Sequence, residues 1–222
     1  MNTKITFVLL FAVLSAFAYG QNQRGHSDTQ SDPLNEKVER FALTDATLIE
    51  GLSKLTEQQV PNLHLGIEEI LSESFSNPAS IVRFSLNLEN ATVRELLDEL
   101  CQHDNRYTWS TDGLSINIFA RENIDNPSFF LNRKLDRITL QDIPNTNQAL
   151  TPLAKLLPKE QIGYSGVGGD PSYSEPWTIT FEHVTVRQLV NRVSEHMGPR
   201  STWILSGTRN ERMFFFTKDG FH

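Results

Sequence analysis

One segment occurs twice in this chain, and the duplication restricts the possible folds more than any single motif. The copies run from Phe84 to Trp109 and from Trp177 to Trp203. Both contain Thr-Val-Arg, a histidine eleven residues after that threonine, and a closing Thr-Trp, with one residue inserted before the second Thr-Trp. A side chain present in both copies is expected to belong to the repeated fold rather than to a single active site.

The first twenty residues have the pattern of a secretory signal peptide. Lys4 precedes an apolar run from Ile5 to Ala18, and small residues before Gln21 suit cleavage there. The run is shorter than the roughly 20 residues of a membrane helix, and no second run of this kind follows. We therefore expect a periplasmic or secreted protein with no membrane span after cleavage. The alternative is that the segment is retained as an uncleaved N-terminal anchor.

Composition excludes several partner classes. Without the leader the chain has 19 basic and 27 acidic residues, a net charge of −8. Phosphate backbones are bound by clustered Lys and Arg, which this sequence lacks, so nucleic acid is not an expected partner. Cys101 is the only cysteine, so an intrachain disulfide is impossible. It lies on an apolar helical stripe, which predicts a core residue; the alternatives are a reactive thiol or an intermolecular bridge.

Each copy has the periodicities of a small α+β unit. Residues 82–88 and 177–181 alternate apolar with polar side chains, which predicts half-buried strands. Residues 93–101 and 186–197 have apolar side chains at helical spacing. The threonine before each helix is followed three residues later by Glu or Gln, the pattern of a capping box.

Further elements complete each unit. Turn signals at Gly113 and Gly207 predict a hairpin after each repeated helix. An earlier strand and helix are predicted within residues 40–55 and within residues 137–157. Pro152 is compatible with the second of these helices only at its first position. The predicted fold class is therefore α+β, with two tandem βαββαββ units, each a small mixed sheet with two helices.

The unit boundaries follow from these elements and from the polar segments between them. The predicted division is a signal peptide at 1–20, a disordered tether at 21–36, a first unit at 37–121, a linker at 122–132 and a second unit at 133–218. Whether the two units pack together is left open.

The first unit resembles a known family. It reads F-x-L-x-D-A-T-L-x-E-G-L-x-x-L from Phe41, F-S-L-N-L-E-N-A-T-V-R-E-L-L-D-E-L from Phe84 and Y-T-W-x-x-D-G-L-x-I-x-I from Tyr107. This pattern is similar to the secretin and TonB-receptor short N-terminal (STN) domain of the bacterial envelope, and the second unit matches it more loosely. The resemblance implies periplasmic βα modules that dock other proteins and carry no catalytic residues. No barrel or secretin segment follows in this sequence, so gating and signalling roles are not transferred.

Two repeated arginines are candidate binding residues. Arg94 and Arg187 lie in the first turn of their helices, where the helix dipole disfavours a cation. Glu89 and Glu182, five residues earlier, are the expected partners in structural ion pairs. The alternative is a site for an anion or for a partner's carboxylate.

The repeated histidines and tryptophans have structural explanations. His103 and His196 recur at helix ends, where a cation suits the negative end of the dipole. No histidine spacing indicates a zinc site. Trp109 and Trp203, together with Trp177, are predicted to pack in the cores of their units rather than to form a glycan platform.

The copies differ most between the second and third predicted strands of each unit. Residues 65–80 and 163–176 are predicted to form long insertion loops, where binding residues concentrate. The glycines of the second segment lack the Lys-Ser/Thr ending of a phosphate loop. The predicted partner-binding residues are Glu68, Glu69, Phe75, Tyr164, Gly166, Gly168 and Tyr173, together with Arg94 and Arg187.

No catalytic motif stands out. There is no Gly-x-Ser-x-Gly elbow and no carboxylate pair marked by its context, so neither an enzyme nor a metal or cofactor is predicted. We predict a non-catalytic exported protein that docks another envelope protein through sheet edges and the insertion loops. The alternative is a binder of envelope glycan or peptide that uses the aromatic and Gly-rich segment 163–176. Partner identity, biological process and oligomeric state are left open.

Overall fold

The fold is a mixed α+β arrangement. A computed structural model describes residues 32–73, 80–157, 162–166 and 172–218, which contain four α-helices and ten strands. The first half contains β1 (Lys37–Ala46), α1 (Leu48–Glu57), β2 (His64–Glu68), β3 (Phe84–Thr92), α2 (Val93–His103), β4 (Tyr107–Asp112) and β5 (Ser115–Ala120). The second half contains β6 (Lys134–Asn145), α3 (Thr146–Leu156), β7 (Ile162–Gly166), β8 (Ser172–Thr185), α4 (Val186–Glu195), β9 (Ser201–Gly207) and β10 (Arg212–Lys218).

The helices start where their side chains can satisfy the first free backbone N–H groups. Thr92 and Thr185 form the predicted capping boxes of α2 and α4, and Thr47 forms a third for α1. The side chain of Asn145 caps α3. Pro152 lies inside α3, so the prediction that it must occupy the first position is wrong. The interior proline removes one backbone donor, and the helix continues past it to Leu156.

The strands form one large sheet and two antiparallel ribbons. The large sheet has the order β4-β5-β2-β9-β10-β7, while β1 pairs with β3 and β6 with β8. Strand β2 pairs in parallel with both β5 and β9, so strands of both halves share one continuous sheet. The sequence predicted a separate small sheet for each unit. That expectation is wrong because β2 and β9 pair across the boundary between the halves.

Each half supplies most of one core, and the two cores lie on opposite faces of the shared sheet. Leu65 and Ile67 of β2 belong to the first core, which also contains buried residues of α1 and α2. Trp203 of β9 belongs to the second core, with buried residues of α3 and α4. Gly66 lies between Leu65 and Ile67, so its Cα faces the other side of the sheet, where it meets the Trp203 ring. Alternate residues of the central strands therefore pack into different cores, one on each face of the sheet.

The segments that flank the halves contribute to these cores. Leu34, within the predicted disordered tether, is buried in the first core. Its backbone N–H donates to the Asp32 carboxylate at 3.0 Å, within a short 3-10 turn. Phe130 and Leu131, within the predicted linker, are buried in the second core. The predicted signal peptide at 1–20 lies outside the described residues.

The repeated histidines do more than end their helices. His103 is the last residue of α2 and stacks on Phe84, with ring centroids 4.7 Å apart. His196 caps α4 and lies 4.1 Å from the Trp177 ring, at the matching position. Both pairs join the end of a helix to the strand that leads into it. This role explains why both members of the pair recur.

The predicted core residues divide into buried and half-buried sets. Trp203 is fully buried, and Cys101 is buried as predicted. Trp109 and Trp177 are half-buried and pack against the two cores. Among helices in the described part of the chain, none is long and apolar enough to cross a membrane.

Candidate functional site

Three of the predicted partner-binding residues lie at the junction between the two halves. Glu68, at the end of β2, is fully buried and accepts a hydrogen bond from Arg187 Nε of α4. Arg187 Nη1 donates to Asn132 Oδ1 at 2.5 Å, and its guanidinium lies 5.1 Å from the Phe119 ring. The expected pairing of Arg187 with Glu182 is therefore wrong. Arg187 reaches across to the first half instead.

The carboxylates of this junction are shielded from water. Burial raises the pKa of Glu68, while the hydrogen bond and charge of Arg187 lower it. Burial also raises the pKa of Glu69, whose carboxylate accepts a hydrogen bond from Ser206 Oγ. Each carboxylate thus accepts a hydrogen bond from within the chain. They stabilise contacts between the halves; Glu68 is fully buried, whereas Glu69 is half-buried.

The rest of the junction is also polar. Asn191 of α4 donates to the Asp112 carboxylate at 3.1 Å, and Ser115 Oγ donates to Glu195 Oε1 at 2.8 Å. On β9, the Ser201 hydroxyl and the His64 ring are joined by a hydrogen bond of 2.8 Å. Helix α4 and strand β9 therefore lie on the first half through matched polar groups. Strand pairing between β2 and β9 supplies the backbone hydrogen bonds.

The repeat identifies which strand of the second half corresponds to β2. Trp109 and Trp203 are matching residues, and they pair with Ile118 of β5 and Phe216 of β10. Strand β5 pairs in parallel with β2, and β10 pairs in parallel with β7. Hence β7 corresponds to β2, and β4 corresponds to β9. Within the described strands, β4 and β7 are the two edges of the large sheet.

The β4 edge is polar and partly covered by its own helix. Arg94 lies over the Trp109 ring, with its guanidinium carbon 5.5 Å from the centroid, and Trp109 Nε1 donates to Asp98 at 2.8 Å. The expected pairing of Arg94 with Glu89 is therefore not found among the ion pairs of the described residues. The solvent-facing residues beside Trp109 are polar. Charged and polar side chains protect a sheet edge from pairing with another chain.

The surface beside β7 is mainly apolar, although Ser206, Glu211 and Arg212 also line it. Met213 of β10 is 41% exposed and Phe215 is half-buried, and a shallow groove runs past both beside Gly163 of β7. By the repeat, the matching residues of the first half are Ser115 and Asn117. Those two residues are buried on the face that α4 covers. Phe215 packs partly against the first core, whereas Met213 is open, so the second half leaves partly open the face that the first half has covered.

The predicted insertion segments are partly strands. Residues 65–68 belong to β2, and Tyr164 and Gly166 belong to β7. Tyr173 lies in β8, within the second ribbon. The prediction that these segments are long loops is wrong over those ranges. Phe75 and Gly168 lie outside the described residues.

Met213 and Phe215 were missed as candidate site residues, although the sequence carries a signal for them. Strand β10 has an unbroken apolar run at residues 213–216, whereas the matching β5 residues 115–118 alternate as Ser-Ile-Asn-Ile. An apolar run indicates a strand whose two faces are both suited to burial. Only one face of β10 is covered by the second core.

Neither a metal site nor a related protein identifies a function for this chain. In residues 32–73, 80–157, 162–166 and 172–218, no group of three His, Cys, Asp or Glu side chains could hold a metal ion. Comparison of the chain with protein-family models, with curated proteins and with solved structures finds no match.

Proposed function

We propose that this chain is a non-catalytic exported protein of the bacterial envelope that docks a partner protein at the β7 edge. The proposal includes two STN-like βαββαββ units in tandem, the second of which presents the edge. One observation carries it. Strand β7 corresponds to β2, and the matching edge of β2 is already occupied within the chain by β9.

The physical basis is strand addition. An edge strand has unpaired N–H and C=O groups that an added strand can satisfy, while neighbouring side chains provide selectivity. The β7 sequence, Ile-Gly-Tyr-Ser-Gly, has no charge and no proline to discourage pairing. Covering Met213 adds about 1 kcal/mol of apolar burial, given its present exposure. Residues Tyr164 and Gly166 then contribute as part of the β7 backbone.

Export is supported by the leader pattern of residues 1–20. N-terminal sequencing of the protein purified from its own cells tests this part. We expect the mature chain to begin at Gln21. A chain that still begins at Met1 and stays with the membrane fraction would support the uncleaved anchor instead.

Docking is tested by mild crosslinking of the tagged full-length protein in its own envelope, followed by mass spectrometry. We compare wild type with Met213→Asp, and with Ile124→Asp as a control of equal exposure, 41%. One envelope protein should be recovered near stoichiometry with wild type and with the control, and lost with Met213→Asp. Recovery of the chain alone, retained on envelope glycan, would refute protein docking and favour the glycan-binding alternative.

A further inference from the structure

We propose that the partner presents a helix followed by a strand, with the strand parallel to β7 and an apolar helix face on Met213 and Phe215. This inference rests on the proposed function and names the partner's chemistry. It commits to a different protein rather than a second copy of this chain. Three comparisons between the covered edge and the open edge carry it.

The covered edge shows how a helix and a strand pack against this kind of sheet. Strand β9 pairs in parallel with β2, from Leu65 opposite Thr202 to Glu68 opposite Leu205. Helix α4 directly precedes β9 and contacts β5 through the bond from Ser115 to Glu195. Because β7 has the same parallel relation to β10 that β2 has to β5, a helix and strand placed in the same way would put the helix over β10.

The second comparison concerns polarity. Where α4 covers the first half, the sheet offers Ser115 and the helix offers Glu195, so polar groups meet. The β10 residue that matches Ser115 is Met213, which has no hydrogen-bonding group of comparable strength. A polar group placed over Met213 would lose water without gaining a partner from that side chain. The partner's helix must therefore be apolar at the position that Glu195 occupies in α4.

The third comparison excludes a second copy. In the first half, α2 and β4 correspond to α4 and β9, and β4 lies at the other edge of the large sheet. Helix α2 has Glu99 and Gln102 at the positions matching Arg192 and Glu195 of α4. Strand β4 has an exposed Ser110 where β9 has a buried Ile204. The polar side chains of α2 do not suit the apolar surface of β10, and Ser110 gives β4 no apolar contact on the opposite face, where Ile204 joins the first core, so the wild-type chain should not associate through this edge.

The test converts α2 and β4 into the proposed partner chemistry. We substitute Glu99→Leu, Gln102→Leu and Ser110→Ile in the full chain, all at positions with solvent exposure. Sedimentation velocity at micromolar concentrations should find the wild type monomeric. The triple variant should form oligomers of increasing size, because the β4 edge of one molecule would bind the β7 edge of the next, and these are different surfaces. Adding Met213→Asp should weaken this association at least about tenfold, whereas adding Ile124→Asp should not.

Each outcome has a stated meaning, once circular dichroism has shown that all variants are folded. A monomeric triple variant, or one whose association ignores Met213→Asp, overturns the inference. Wild-type association that Met213→Asp abolishes overturns the claim that the partner is a different protein. If the triple variant stays monomeric while crosslinking still yields a partner sensitive to Met213→Asp, docking stands and the helix-and-strand geometry fails. If Met213→Asp changes neither experiment, both proposals fail.

Discussion

Removal of the Arg187 guanidinium should destabilise the whole chain, because it leaves a buried carboxylate without its partner. The Arg187 side chain is 14% exposed and that of Glu68 is fully buried. Exposed ion pairs contribute about 1 kcal/mol or less, whereas breaking a buried pair costs about 3 to 5 kcal/mol. We therefore expect Arg187→Met to lower the free energy of unfolding by about 3 kcal/mol. For a chain of this size that corresponds to a fall in Tm of roughly 6 to 12 °C.

The dependence on pH gives this prediction a second readout. Burial raises the pKa of Glu68 and Arg187 opposes that rise, so the variant's folded-state pKa should lie higher still. The unfolded pKa of a glutamate is about 4.3. A raised folded pKa penalises the ionised carboxylate, so the loss should be largest at neutral pH. It should shrink as pH falls through the folded pKa towards the unfolded value, because protonation removes the buried charge.

Urea unfolding followed by circular dichroism measures both effects. The matched control is Arg137→Met, whose partner Glu182 lies 3.8 Å away in an exposed pair. A loss for Arg187→Met no larger than that of the control, or one independent of pH, would refute the reasoning. Adding Glu68→Gln should recover part of the loss, since no charge then remains buried. Unchanged stability together with a lost partner would instead make Arg187 a binding residue.

Three smaller predictions test other parts of the structure. Gly66→Ala should cost about 1 to 3 kcal/mol in urea unfolding, because the new Cβ would lie 2.6 Å from the Trp203 ring. Gly163→Ala, whose Cβ would lie 3.5 Å from the nearest atom, should be near neutral. Burial raises the pKa of Cys101 to about 12, so a thiol reagent at pH 8 should react only after unfolding. Burial lowers the pKa of His64, so stability should fall as pH drops below about 6.5, and less so in His64→Gln.

Local signals in the sequence predicted the elements they govern. The capping threonines are examples, because each depends on residues only three positions away. The repeat also predicted matching helices and hairpins. A second strand was predicted in each unit, but residues 65–68 of β2 were assigned to the segment after it, because all five residues of β2 are buried and lack the alternation that marks a half-buried strand. Glu68 was therefore assigned to a loop and to a partner outside the chain.

Docking at a sheet edge stays a prediction, and the sequence could not say which edge of the sheet is open. Sheet edges were expected to dock a partner, but which edge is open depends on the strand order, which joins β2 to a strand far along the chain. The repeat by itself treats Arg94 and Arg187 as equivalent. In the structure one covers a tryptophan of its own unit and the other holds the two halves together. Equivalent positions thus acquired different roles because only one of them faces the other half.

The pairing of β2 with β9 also has a consequence for how the protein forms. A chain synthesised from its N-terminus presents its first half while β9 is still unavailable. Until then the inner strand of the future sheet has an open edge, and the Glu68 carboxylate has no guanidinium to meet. Contacts between residues so distant in sequence form late, and unpaired strand edges invite wrong partners in the interval. The second half therefore completes the folding of the first, and a truncated first half should be the form most in need of a chaperone.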